Sequence, residues 1–130
     1  MLYVDSSALV KLVIEEAHGK ELEEYVRDDA VLATSRLAIV EVRRATALVH
    51  PDDEMRAEAD RLLASCLLVD VTDQVLREAA TLASREIRTF DAIHLATALH
   101  IEADELVAYD RRLLAGAEQH GLAVAAPGVI

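Results

Sequence analysis

The sequence has one cysteine, no tryptophan, one phenylalanine, four glycines and two prolines. The lone Cys66 excludes a disulfide framework and a cysteine-rich zinc site, and it suits the reducing cytoplasm. With so few glycines and prolines the chain has few residues for hairpin turns, which disfavours an all-β sandwich. An aromatic fraction of 3% excludes a base-stacking platform of the kind that single-strand nucleic-acid binders use.

Basic residues are scarce, with 13 Lys and Arg against 24 Asp and Glu and a net charge of −11. This balance argues against a non-specific nucleic-acid binder, because a phosphate backbone would be repelled. A polyanionic substrate requires bound cations or a local basic patch. No apolar run approaches the roughly 18 residues of a membrane helix, so no membrane span is expected. The segment 1–5 lacks the basic region of a signal peptide.

The remaining composition is that of a folded protein, with 53% hydrophobic and 28% charged residues over 130 positions, and it predicts a single domain over 1–130. Short apolar runs alternate with amphipathic stretches of helical period. The predicted strands are 2–5, 30–34, 67–71, 105–109 and 122–126, and the predicted helices are 6–16, 20–27, 35–50, 52–66, 72–88, 89–102 and 110–121. This alternation predicts an α/β fold with a mostly parallel sheet of about five strands flanked by helices on both faces.

Ligand sites in such sheets lie at the carboxyl ends of the strands, and two aspartates stand there. Asp5 ends the first predicted strand and Asp110 follows the fourth. Each also precedes a predicted helix, with Ser6–Ser7 expected to cap the first one. Taken singly, each aspartate is more simply explained as a helix cap or first-turn acid than as a functional group.

Two further acids lie inside predicted helices. Leu37, Glu41, Ala45 and Leu48 share one face of the helix 35–50, and the face is otherwise apolar. A carboxylate on a stripe facing the core needs a basic partner or a cation, because burying an unpaired charge is very costly. Asp91 lies in the first turn of the apolar helix 89–102. A favourable interaction with the helix dipole and a functional role explain an acid at this position equally well.

The four acids Asp5, Glu41, Asp91 and Asp110 can converge at one end of the sheet. Carboxylates about 4 Å apart repel by roughly 4 kcal/mol per pair at an effective dielectric near 20. A hard divalent cation relieves this repulsion, and oxygen-only ligands suit Mg²⁺ or Mn²⁺ rather than zinc. The residues alone therefore predict an acidic metal-binding site.

His94 lies one turn after Asp91, a spacing that permits both to bind one metal. The other four histidines are scattered, so no zinc-binding set forms. We therefore expect His94 to be a buried, hydrogen-bonded structural residue.

Four segments in order resemble one family. The segments Asp5–Leu12, Glu41, Arg88–Ala98 and Ala108–Leu113 resemble those of the PIN-domain nucleases, and within them the VapC-type toxins of prokaryotic toxin–antitoxin pairs. The likeness runs from residue 2 to about residue 127 and implies a PIN-like three-layer α/β/α fold. Ala108 stands where many relatives have Thr, so a hydroxyl beside the site is missing but no ligand is.

The resemblance implies that Asp5, Glu41, Asp91 and Asp110 hold Mg²⁺ or Mn²⁺ and support hydrolysis of RNA phosphodiester bonds. One or two metal ions would bind a phosphate oxygen and a water, lower the pKa of that water and align it for in-line attack. The expected products carry a 5′-phosphate and a 3′-hydroxyl. The metal would also turn an acidic cleft into one that binds phosphate.

Several polar residues near the presumed cleft are candidates for substrate contacts. Ser6, beside Asp5, would contact the phosphate or the metal, or else belong to the helix cap. Four basic residues would add phosphate contacts or serve as ordinary surface charges: Lys11, Arg88, Arg111 and Arg112.

The resemblance also implies partners. Toxins of this type are cytoplasmic homodimers inhibited by a cognate antitoxin, a small protein encoded beside them. An acidic cleft would attract a basic antitoxin segment, and an Arg reaching Asp5 or Asp91 would displace metal or substrate.

Other functions fit less well. A haloacid-dehalogenase-type phosphatase needs a second Asp two residues after the first, and position 7 is Ser. A phosphorelay receiver needs a lone acceptor Asp and a Lys near the last strand, which is not the pattern here. A non-catalytic or DNA-directed PIN-like interaction module stays open, although retention of all four acids speaks against a decayed site.

Overall fold

A computed structural model of the chain describes residues 1–28, 31–82 and 86–130. Strands and helices alternate along these residues as predicted. The strands are β1 (Leu2–Val4), β2 (Leu32–Ser35), β3 (Leu67–Val69), β4 (Glu105–Val107) and β5 (Ala123–Ala125). The helices are α1 (Ser6–Val13), α2 (Gly19–Arg27), α3 (Leu37–Val49), α4 (Asp53–Ser65), α5 (Asp73–Thr81), α6 (Thr89–His100) and α7 (Arg111–Gln119).

The five strands form one sheet in the order β3-β2-β1-β4-β5, and every neighbouring pair is parallel. An apolar core that includes Leu9, Leu22 and Val42 packs helices α1 to α4 against the sheet. A second core, around Tyr3 and Leu95, packs α6 and α7 against it. The predicted α/β fold, with a parallel sheet between two helical layers, is confirmed.

The strand order reverses at the centre of the sheet. From β1 the chain adds β2 and then β3 on one side, and it returns to place β4 on the other side of β1. Val4 of β1 pairs with Val107 of β4, so the residues that follow these two strands emerge side by side. A switch point of this kind is the usual ligand site of an open parallel sheet.

Several predicted bounds were too long, because apolar periodicity does not show where the backbone leaves the helix. The helix predicted over 6–16 ends at Val13, since Ile14 is already extended. The helix predicted over 72–88 ends at Thr81 with an extended Leu82. Ala30 of the strand predicted over 30–34 lies outside the described residues, as do positions 83–85 of that helix.

The helix caps differ from expectation at one place. The Ser6–Ser7 pair does not cap α1, because the Asp5 side chain accepts the Ala8 amide hydrogen and Ser6 is already helical. The predicted cap at Asp110 is confirmed, since its carboxylate accepts two amide hydrogens at the start of α7.

None of the helices in the described part of the chain has the length and apolar character that a bilayer span requires.

Candidate active site

The carboxyl edge of the sheet holds a small pocket of about 140 Å³ at the switch point. Each of the four predicted acids reaches it from a different segment: Asp5 after β1, Glu41 within α3, Asp91 in the first turn of α6, and Asp110 before α7. Ser6, Ser7 and His94 complete its lining. The fold therefore brings together four carboxylates that are distant in sequence.

Asp5 is the most deeply buried of these acids, with 4% of its surface exposed. Its Oδ1 accepts the Ala8 amide hydrogen at 3.0 Å, and the Ser7 hydroxyl donates to the same carboxylate. Burial raises the pKa of Asp5 from 3.8 to about 6 in spite of these hydrogen bonds, and the nearby Asp91 adds to the rise. An ionised Asp5 is thus costly without a cation nearby.

Glu41 does not lie where the sequence placed it. The buried face of α3 is formed by Ala38, Val42 and Thr46, while Leu48 is 87% exposed, so the predicted core-facing stripe is wrong. That stripe lies one position off the true core face, because α3 packs against α1 and α4 through Ala38 and Val42. Glu41 lies on the flank of the helix, half-buried and turned to the pocket.

The Glu41 carboxylate is held by two side-chain donors. Its Oε1 accepts the Ser6 hydroxyl hydrogen at 2.6 Å and lies 2.7 Å from His94 Nε2. Burial alone would raise the pKa of Glu41, but the hydrogen bonds from His94 and Ser6 outweigh it and hold that pKa below its ordinary value. Glu41 is therefore ionised at neutral pH.

Asp91 and Asp110 both line the pocket and interact electrostatically. Burial raises the pKa of Asp91, and the negative charges of Asp110 and Glu41 raise it further. Asp110 uses Oδ1 to accept the amide hydrogens of Arg112 and Leu113 at 2.9 and 3.0 Å. The carboxylates repel one another, which is the electrostatic condition that a bound cation relieves.

His94 lies beneath the acids and is 1% exposed. Its Nδ1 is 2.6 Å from the Tyr3 hydroxyl, and its Nε2 faces Glu41 and, at 3.2 Å, Ser6. The expectation of a buried, hydrogen-bonded histidine is confirmed. The part played by Tyr3 was missed, although a tyrosine in the middle of a short buried strand needs a partner for its hydroxyl.

The predicted basic residues do not line the pocket. Lys11 donates to Glu16 and to the Ala17 carbonyl and lies over the Tyr109 ring, on the α1–α2 side. Arg88 is exposed just before α6, and its charge lowers the pKa of Asp91, although the acids and burial outweigh it. The remaining two, Arg111 and Arg112, are exposed in the first turn of α7.

The donors around the pocket fit a hard divalent cation. Apart from His94, whose Nε2 is engaged with Glu41, they are carboxylate and hydroxyl oxygens, which suit Mg²⁺ or Mn²⁺. Across 1–28, 31–82 and 86–130, no three acidic, His or Cys side chains lie close enough together to form a compact metal cluster. Mg²⁺ commonly keeps several waters in proteins, so carboxylates that do not form a compact cluster can hold it partly through bound water.

Comparison with known proteins agrees with this architecture. The PIN domain family model matches residues 2–119. Ribonuclease VapC46 of Mycobacterium tuberculosis (strain H37Rv) is 41% identical over 128 residues, which cover 97% of this chain and 97% of that protein.

Solved structures share the fold at lower identity. A toxin–antitoxin complex from Klebsiella pneumoniae superposes with a TM-score of 0.76 at 21% identity and covers all of both chains. M. tuberculosis VapC20, described as a sarcin-ricin loop cleaving toxin, gives a TM-score of 0.74 at 20% identity over 88% of this chain and 94% of that one. The chain belongs to the PIN domain family and is of the VapC type.

Proposed function

We propose that this chain is a Mg²⁺- or Mn²⁺-dependent endoribonuclease and the toxin of a toxin–antitoxin pair. The observation that carries the proposal is the convergence of Asp5, Glu41, Asp91 and Asp110 on one pocket at the switch point of the sheet. A relative 41% identical over nearly the whole of both chains is named a ribonuclease, which supports RNA as the substrate.

The four carboxylates would hold the cation, with Asp5 and Asp110 fixed in direction by backbone amides of the helices they cap. When bound, Mg²⁺ or Mn²⁺ supplies charge for a phosphate oxygen and makes a water acidic enough to attack phosphorus. Ser6 donates to Glu41, which makes it a support for the acid as well as a candidate contact for substrate. Arg88, Arg111 and Arg112 stand outside the pocket, where a phosphate chain running past it would meet them.

Two protein partners are part of the proposal: an antitoxin and a second copy of this chain. A structure with the same fold is a toxin–antitoxin complex, which supports the antitoxin. Large apolar side chains stand on the surface at Val40, Leu48 and Phe90, with Leu48 87% and Phe90 58% exposed, and they offer area for such contacts. The acidic pocket favours a basic antitoxin segment that enters it and competes with the cation.

We also propose that residues 1–130 fold as one domain, since strands from both ends of the chain share one sheet. The cytoplasm is the proposed site of action, where the unpaired Cys66 stays reduced.

Cleavage of a defined RNA tests the function directly. Purified protein is incubated with a structured RNA and with single-stranded DNA of the same sequence, with Mg²⁺ or with excess chelator, and the product ends are determined. Glu41→Gln removes one pocket charge, and Glu118→Gln, at an exposed position of α7 away from the pocket, is the matched control. We expect RNA cleavage with 5′-phosphate products that needs Mg²⁺, is lost in Glu41→Gln and is kept in Glu118→Gln.

Equal cleavage by Glu41→Gln would contradict the proposed site. Cleavage of DNA alone would replace RNA as the substrate, and no cleavage of either by a folded protein that binds Mg²⁺ would favour a non-catalytic module.

A further inference from the structure

Glu41 presents its two carboxylate oxygens in different ways. Oε1 accepts from Ser6 at 2.6 Å and from His94 at 2.7 Å, whereas Oε2 accepts no hydrogen bond from the described residues. Oε1 is thus held by the protein, and Oε2 is available to a cation in the pocket. Free rotation of the carboxylate is removed before any cation arrives.

His94 can donate to Glu41 only if Nε2 carries a hydrogen. An ionised carboxylate can only accept, so the 2.7 Å contact with Glu41 Oε1 requires a hydrogen on His94 Nε2. In that tautomer Nδ1 is the acceptor, and the buried Tyr3 hydroxyl at 2.6 Å is placed to donate to it.

We propose that Tyr3 and His94 are positioning residues that hold Glu41 in the orientation the cation requires, through the chain Tyr3 hydroxyl to His94 to Glu41. The inference rests on the proposed function, because it assigns these residues a role at the proposed metal site. Neither residue touches the cation or the RNA. Their contribution is to fix a ligand in advance, so that binding does not have to order it.

The energetics favour this role over simple core packing. Tyr3 and His94 are buried polar side chains between β1 and α6, with the buried Thr34 and Thr97 beside Tyr3. Hydrocarbon side chains in place of Tyr3 and His94 would avoid the desolvation cost. Groups that hydrogen-bond to metal ligands typically contribute 10- to 100-fold in metal affinity. A packing residue would contribute to folding stability alone.

The test measures binding of Mn²⁺ alone to the purified protein, without RNA, by the loss of the free Mn²⁺ signal in electron paramagnetic resonance. His94→Leu removes the donor, and His94→Gln restores an amide N–H at about the reach of Nε2. Tyr3→Phe removes only the hydroxyl that is placed to donate to Nδ1. Thr46→Val, a buried site on the same helix as Glu41 whose hydroxyl bonds only to backbone carbonyls, is the control for loss of a buried polar group.

We expect Mn²⁺ affinity to fall about 10- to 100-fold in His94→Leu, to fall several-fold in Tyr3→Phe, and to stay near the wild-type value in His94→Gln and Thr46→Val. Wild-type affinity in His94→Leu would overturn the inference, whatever its melting temperature. If His94→Leu does not fold, Tyr3→Phe decides, and unchanged affinity there overturns the inference equally.

Asp91→Asn separates this inference from the function on which it rests. Loss of Mn²⁺ binding in Asp91→Asn, combined with unchanged binding in His94→Leu and Tyr3→Phe, rejects only the positioning role. Absence of Mn²⁺ binding in the wild type, or equal binding in Asp91→Asn, rejects the metal site itself.

Discussion

Asp5 Oδ1 accepts the amide hydrogen of Ala8 at 3.0 Å while the same carboxylate lines the acidic pocket. From the sequence alone, helix capping and a place in a ligand site are alternative explanations for Asp5. In the structure the Asp5 side chain does both. The cause is the parallel α/β connection, in which the end of a strand is also the start of the next helix. Asp110 repeats the arrangement at the start of α7.

The double role of Asp110 predicts that two substitutions will differ. Asparagine is as good an N-cap as aspartate, so Asp110→Asn should unfold with nearly the wild-type free energy, whereas Asp110→Ala should lose about 1 kcal/mol. Both should weaken Mg²⁺-dependent RNA cleavage, because both remove the negative charge. Urea denaturation without metal and cleavage rates with Mg²⁺ measure the two effects. Full cleavage by Asp110→Asn would leave Asp110 as a cap only.

The sequence predicted the sheet and the convergence of the acids because both follow from local rules. Alternating buried strands and amphipathic helices specify a parallel sheet, and a parallel sheet gathers the residues at its strand ends. Asp5 and Asp110 could therefore be placed from the strand pattern alone. Glu41 and Asp91 joined them as carboxylates within apolar helices, the resemblance to PIN-domain nucleases implied the same four residues, and the structure brings all four to one pocket.

The hydrophobic pattern of the sequence does not predict how side chains pack between helices. On α3 the helical period fits a stripe through Leu37 and Leu48 as well as one through Ala38 and Val42, and only the close approach of α3 to its neighbours selects the small residues. Tyr3 and His94 are 91 positions apart, so no local periodicity in the sequence predicts their contact. Lys11 lies away from the pocket, where its ammonium group pairs with Glu16 in the loop after α1, and the sequence pattern did not indicate this pair.

Burial of Asp5 predicts an unusual pH dependence of stability in the metal-free protein. The pKa of Asp5 is about 6 in the folded state against 3.8 ordinarily, so between these values the folded protein binds a proton that the unfolded chain has lost. The stabilisation from this proton is full below about pH 4 and is lost as pH rises through 6. Relative to Asp5→Asn, the wild-type free energy of unfolding should fall by up to about 3 kcal/mol between pH 4 and pH 7.

Urea denaturation of the two proteins at a series of pH values in chelator gives this difference, and comparison with Asp5→Asn cancels the other titrating groups. Saturating Mg²⁺ at pH 7 should restore part of the wild-type stability and leave Asp5→Asn much less affected. A difference that is constant from pH 4 to pH 7 would show that Asp5 is not perturbed in this way.

The all-oxygen donor set predicts which metals support cleavage. Mg²⁺ and Mn²⁺ should support it, chelator should abolish it, and Ca²⁺ should fail, because Ca²⁺ takes looser and higher coordination. The measurement is the RNA cleavage rate after dialysis against chelator and re-addition of each metal alone. Undiminished cleavage in excess chelator would exclude the metal-dependent mechanism.

Substitution of Asp91 distinguishes most clearly between a structural acid and a metal ligand. Burial and the charges of Asp110 and Glu41 raise its pKa, which means that its charge destabilises the metal-free fold. Asp91→Asn keeps the shape of the side chain and removes that charge. We therefore expect the metal-free variant to melt at the wild-type temperature or above it, to gain much less from Mg²⁺, and to cleave RNA slower by orders of magnitude.

Asp73→Asn is the matched control, because Asp73 lies in the first turn of α5 as Asp91 does in α6, but is exposed and away from the pocket. There the amide removes a favourable interaction with the helix dipole, so a small loss of a few tenths of a kcal/mol to about 1 kcal/mol is expected, with the Mg²⁺ response and cleavage intact. If Asp91→Asn behaved like this control, melting lower without metal and still cleaving RNA, Asp91 would be a first-turn acid only. The proposed metal site would then lack Asp91, the acid whose pKa is raised by the charges of both Asp110 and Glu41.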